Sequence, residues 1–184
     1  GVRSQIGHGA DVVKIYADYG WGPDKKAEPT FTVEELKKAV EVAKSSGRIV
    51  AVHSTTSEGL RRAIEAGVNT IEHGDGGTPD LFKLMKEKNI ALCPTLAATE
   101  AYAIYFDGWK KGEPDNADIK HKKYIFSEAM KAGVTICMGG DVGVFMHGDN
   151  AREMVLMVEY GMKPIDVLKS ATSVNASVFR LKGV

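Results

Sequence analysis

Short apolar runs alternate with amphipathic stretches along the whole chain. Five runs are too short for helices and rich in β-branched residues, and they predict strands at 11–17, 48–53, 68–73, 90–94 and 134–139. Between them apolar positions recur at helical spacing. Val33, Leu36, Val40 and Ala43 line one face of a helix that stops at Ser46-Gly47, and Leu60, Ala63 and Ile64 line a second over 58–66. Further helices are predicted at 79–88, 118–132, 151–160, 165–171 and 173–181, and residues 1–8 read as the tail of another.

The boundaries carry their own chemistry. Thr32-Val33-Glu34-Glu35 is a capping box, Ser57 is placed to cap helix 58–66, and Thr78-Pro79 puts a hydroxyl before a proline at the first helical position. Asn150 is placed to cap helix 151–160. Gly9, Gly47, Gly67, Asn89 and Gly133 each stand between a helix and the next strand, where a left-handed cap is needed. The longest connection, 97–120, reads as an insertion holding Tyr102, Tyr105, Phe106 and Trp109.

Strand, loop, helix and cap therefore repeat as structure without repeating as sequence. That order predicts an α/β fold with parallel pairing and crossovers of one hand. A closed eight-stranded barrel needs about 250 residues, and this chain has 184. A five-stranded doubly wound sheet fits the length, but polar groups at nearly every strand end suit a barrel rim better than one crevice. The expectation is a single domain over 1–184, a partial (β/α)8 TIM barrel of five parallel strands. Such a piece would leave two open edges and an uncovered inner face, expected to include Ile49, Ala51, Ile71 and Leu92. Self-association, or pairing with a separate amino-terminal half, is expected from that.

Composition narrows the partners. Twenty-four basic residues balance 24 acidic ones, so no net field recruits nucleic acid or an anionic membrane. The cluster His121-Lys122-Lys123 reads as a solvated helix face, and His8 as a surface residue. Cys93 and Cys137 fall inside predicted strands and read as small buried hydrophobes, in keeping with a reducing, cytoplasmic setting. No apolar run reaches the roughly 18–20 residues of a membrane span.

The candidate chemistry lies at strand ends. His53 and His73 end consecutive strands; neighbouring parallel strands stand about 5 Å apart, and two imidazoles there can share a divalent ion at about 2.1 Å each. A strand-end histidine is equally a hydrogen-bonded structural residue. Lys14 sits inside the first strand, on the same alternation as Val12, Tyr16 and Asp18. A lysine there is a salt-bridge partner, a base or Schiff-base former of depressed pKa, a modified residue, or a partly exposed strand-end residue. Asp141 follows Gly139-Gly140, which allow close approach, and it is a ligand or a turn cap. His147, in the next loop, is a substrate contact or a turn residue. By alternation Glu72 points away from the face of His73 and is not taken as a ligand.

Taken together, Val13-Lys14-Ile15, Val52-His53, Glu72-His73-Gly74 and Gly139-Gly140-Asp141 resemble, in that order, the amidohydrolase superfamily. The closest match is to its imidazolonepropionase-like and Xaa-Pro dipeptidase-like branch; His147-Gly148-Asp149-Asn150 and the segment 161–176 share that likeness. The resemblance implies that Lys14 stands on the fourth barrel strand, His53 on the fifth, His73 on the sixth and Asp141 on the eighth. It further implies a carboxylated lysine bridging two divalent metals, expected to be zinc. The two histidines would bind one ion; the aspartate would bind the other and act as general base. One departure is large: the family's first strand carries a His-x-His pair, and no such pair occurs in these 184 residues. The expectation is thus the carboxyl-terminal part of a barrel hydrolase acting on a cyclic amide or a dipeptide, inactive by itself. A silent, self-associating barrel piece and a Schiff-base enzyme using Lys14 are the alternatives.

Overall fold

The computed structural model describes residues 1–181; residues 182–184 lie outside the described part. Helix α1 (Val2–Gly7) leads into strand β1 (Val12–Tyr16), and a two-stranded antiparallel ribbon follows, β2 (Asp18–Tyr19) with β3 (Glu28–Pro29). Then come α2 (Val33–Ser45), β4 (Ile49–Ser54), α3 (Ser57–Ala66), β5 (Thr70–His73), α4 (Pro79–Glu87) and β6 (Ala91–Cys93). The rest is helical: α5 (Leu96–Phe106), α6 (Ala117–Lys131), α7 (Ala151–Glu159) and α8 (Pro164–Lys169). The last of these runs through a π-helical turn, Ser170–Val174, into α9 (Asn175–Val178).

The main sheet has four parallel strands in the order β1-β4-β5-β6. Each chain connection passes through a helix, as parallel pairing demands. The fifth expected strand is a correction. Residues 134–139 contribute one bridge, Leu92 to Ile136, held by Leu92 N–H to the Thr135 carbonyl at 2.9 Å and Cys137 N–H to the Leu92 carbonyl at 2.8 Å. Gly133 before it and Gly139-Gly140 after it leave little chain able to stay extended.

Register sorts the two faces. Val13, Val50, Val52, Ile71, Leu92 and Ile136 lie on the helix-covered side, packed with Leu36, Leu60, Ile64, Phe82, Met85 and Phe126 in the main core. Ile71 and Leu92 were expected on the inner face and are instead wholly buried beneath the helices. The inner face carries Lys14, Ala51, Thr70 and Ala91 in one row and Tyr16, His53, Glu72 and Cys93 in the next. Val174 and Val178 cover its far side, over Ala91, Cys93 and Cys137. The architecture is a section of a TIM-like barrel, helices outside and strand ends gathered along one rim.

The expected insertion over 97–120 begins as a helix. In α5 the residues Leu96, Ala97, Ala98, Ala101 and Ala103 are buried, while Tyr102, Tyr105 and Phe106 are exposed. Helix α3 is capped by Thr56 instead of Ser57: the Thr56 hydroxyl accepts the Gly59 N–H at 3.0 Å. Both cysteines are free and buried, as expected.

Candidate active site

The site grows from the carboxyl ends of β1, β4 and β5. Tyr16 and His53 are register partners and their rings stack, centroids 4.5 Å apart at an interplanar angle of 24°. His73 pairs with Ser54, one position out of step with His53, whose own partner is Glu72. Regular alternation would put the His73 ring on the other face. Instead His73 adopts a left-handed backbone with φ 71°, Gly74 follows at φ 69°, and the ring turns to meet His53 edge to face with centroids 4.5 Å apart. A β-carbon on Gly74 would lie 2.6 Å from Leu92 Cδ1, so glycine is required there by both space and dihedral. Glu72 consequently lies in the inner row with His53, where the Thr70 hydroxyl donates to its Oε1 at 2.6 Å.

Both imidazoles have lowered pKa values. Burial lowers the His53 pKa against the opposing pull of Asp18, and the charge of Lys14 lowers it further. Burial, with the neighbouring His53 and Lys122, pushes the His73 pKa down to about 3. Neutral imidazole is the form that ligates a metal. Lys14 is exposed on the inner face, and its charge acts on both histidines. Asp141 is exposed, left-handed at φ 60°, and close enough for its charge to act on His53. The preceding glycines do allow close approach: a β-carbon on Gly139 would lie 2.6 Å from Cys93 Sγ. His147 is exposed on the loop before α7.

The structure thus joins His53 to His73 and sets Lys14 and Asp141 within electrostatic reach. Among the described residues no three or more His, Cys, Asp or Glu side chains converge into one metal cage. The residues present therefore fit the imidazole part of a divalent-metal site, and the rest of a coordination sphere is not assembled by these side chains alone.

Around this pair stands a shell that sequence reading missed. Asp18, fully buried, accepts hydrogen bonds from the Ser54, Thr55 and Thr56 hydroxyls and from the Thr55 and Thr56 N–H groups, and lies 3.6 Å from His53 Nε2. A β-carbon on Gly59 would lie 2.0 Å from Asp18 Oδ2, so α3 approaches this carboxylate closely. The signal was the hydroxyl run Ser54-Thr55-Thr56-Ser57 directly after His53. Lys122 corrects the solvated-face reading: it is 2% exposed and its Nζ donates to Asp75, to the Pro94 carbonyl at 2.9 Å and to the His73 carbonyl at 3.3 Å. Its neighbour His121 is exposed, as expected, and its Nε2 lies 2.7 Å from the Asp75 carbonyl. Glu153, buried in α7, accepts the Leu96 and Ala97 N–H groups at 3.0 and 2.7 Å, and burial pushes its pKa up to about 7.

The chain belongs to the amidohydrolase family, whose profile matches residues 2–184. Ochratoxinase of Aspergillus niger is 35% identical over 181 residues, covering 94% of this chain and 37% of that protein. A crystal structure of a Xaa-Pro dipeptidase with methionine in its active site superposes with a TM-score of 0.86 at 34% identity, over 98% of this chain and 46% of that one. The crystal structure of A. niger ochratoxinase superposes with a TM-score of 0.79 at 33% identity, over 96% of this chain and 41% of that one. The chain spans less than half the length of these relatives.

Proposed function

We propose that this chain carries part of the active site of a metal-dependent hydrolase that cleaves an amide bond in a cyclic amide or a dipeptide. The observation that carries the reading is the edge-to-face contact of the His53 and His73 imidazoles at the rim of a partial barrel, and burial lowers the pKa of both. Membership of the amidohydrolase family supports it, as does the likeness to a dipeptidase and an ochratoxinase.

In this reading His53 and His73 hold one divalent ion. Lys14, in carboxylated form, and Asp141 would complete the chain's share of the metal ligands, with two ions and zinc as the expected metal. Such ions supply Lewis acidity: they polarise the carbonyl and lower the pKa of water. The chain's own residues do the rest. Asp141 takes a proton from the attacking water on a carboxylate oxygen and delivers it to the leaving nitrogen. Tyr16, stacked on His53, fixes the plane of that imidazole. His147, on the loop beyond Asp141, contacts the substrate.

These 184 residues hold no His-x-His pair, and in this reading a further segment supplies it. Complementation tests the reading. The chain is mixed with a relative's segment carrying the first three barrel strands, and hydrolysis of an Xaa-Pro dipeptide is followed with zinc and with chelator. Activity is expected only in the mixture, and it should vanish on chelation or with His53→Ala. Activity that survives both treatments would contradict the proposal.

A further inference from the structure

Thr95 stands between β6 and α5 with a left-handed backbone, φ 51°. A β-branched residue there is strained and persists only where its surroundings over-determine it. Two buried polar side chains do so. On one side Lys122 Nζ donates to the Pro94 carbonyl. On the other, the Glu153 carboxylate accepts the Leu96 and Ala97 N–H groups. Glycine or asparagine would satisfy this backbone with less strain; threonine adds a hydroxyl.

That hydroxyl makes two contacts. Thr95 Oγ1 lies 2.8 Å from the Pro94 carbonyl and 2.7 Å from His73 Nδ1. The carbonyl can only accept, so that contact is a hydrogen bond only with the single hydroxyl proton directed to it. The contact with His73 is then a hydrogen bond only if Nδ1 carries the ring proton and donates to Oγ1. The reverse assignment gives up the hydroxyl's bond to the Pro94 carbonyl and leaves that oxygen to Lys122 alone, whereas a proton on Nδ1 keeps both Thr95 contacts.

We propose that Thr95 is a positioning residue that fixes the tautomer of His73, holding the ring proton on Nδ1 and leaving Nε2 unprotonated as the ligand nitrogen. The ligand role of Nε2 rests on the metal-site reading above; the tautomer does not. The second nitrogen of a ligating histidine is commonly held by an outer partner of this kind, and losing that partner typically costs about 10–100-fold in metal affinity.

The test uses the 184-residue chain with 15N-labelled histidine, free of metal, at neutral pH. Long-range 1H–15N correlation reads which nitrogen carries the proton, and the His73 signals are assigned by their absence in His73→Gln. The wild type should show protonated Nδ1 and bare Nε2. Thr95→Val, which keeps the shape and removes the hydroxyl, should lose that pattern, and Thr95→Ser should retain it. A wild type protonated on Nε2, or a folded Thr95→Val with an unchanged pattern, would overturn the proposal. If Thr95→Val does not fold, the wild-type and Thr95→Ser spectra decide. Zinc titration then reads the ligand role: Thr95→Val should bind about 10–100-fold more weakly than wild type, with Thr95→Ser close to wild type. Equal affinities would overturn the ligand role. Zinc that binds no variant at all would sink the metal reading, while the metal-free spectra still decide the tautomer.

Discussion

His53 and His73 meet edge to face with ring centroids 4.5 Å apart, although the sheet register sets them one residue out of step. The meeting depends on two consecutive left-handed residues at the end of β5. A strand of regular dihedrals would send one ring to the helix side and leave no pair. The rim geometry therefore rests on a backbone reversal at His73-Gly74, locked by the tight fit of Gly74 against Leu92.

Gly74→Ala should accordingly cost more than an ordinary surface change. The new methyl meets Leu92 and the dihedral disfavours a β-carbon, so a loss of about 1–3 kcal/mol is expected in urea unfolding. Gly112→Ala is the control: it shares a positive φ, 99°, but has open space around its β-carbon. It should lose less. Equal losses would show that space at Gly74 does not matter.

Lys122→Met should destabilise the chain by about 2–4 kcal/mol, because it takes the buried donor from Asp75 and the His73 carbonyl and one of two donors from the Pro94 carbonyl. The exposed Lys120 on the same helix should tolerate the same change within about 0.5 kcal/mol. Chemical denaturation of both variants checks this, and similar midpoints would contradict the clamp assigned to Lys122.

Much of this arrangement was legible in the sequence, for a physical reason. The five caps expected between helix and strand, Gly9, Gly47, Gly67, Asn89 and Gly133, all have positive φ. Cap chemistry is local, so it survives in one dimension. Burial is not local. Lys122 looks like a charged surface residue until α6 docks over the ends of β5 and β6. Helix α5 escaped because it is apolar on all sides and shows no stripe, and its partner Glu153 is more than fifty residues away. The twist that brings His73 to His53 came from two dihedrals that alternation arguments assume to be regular.

Glu153 supplies a pH dependence whose sign follows from its environment. Its pKa in the folded chain is pushed up to about 7 from an ordinary 4.5, so between those values the folded state binds more protons than the unfolded. Its contribution is fully present below about pH 4.5 and is lost as pH rises through about 7, by up to about 3 kcal/mol at about 1.4 kcal/mol per unit. Glu153→Gln does not titrate. The stability difference, wild type minus Glu153→Gln, should shrink between pH 4.5 and 7.5. A difference that stays level or grows would show that the buried carboxyl is not raised.

If His53 and His73 form one metal-binding unit, zinc added to the labelled chain should be felt by both rings at once. Histidine ring signals are followed during zinc titration of the wild type, His53→Ala and His73→Ala. Both rings should respond together at one zinc equivalent, and either substitution should weaken binding sharply and remove the response of the remaining ring. Zinc that leaves both rings unmoved, or binds the two variants as tightly as the wild type, would contradict it.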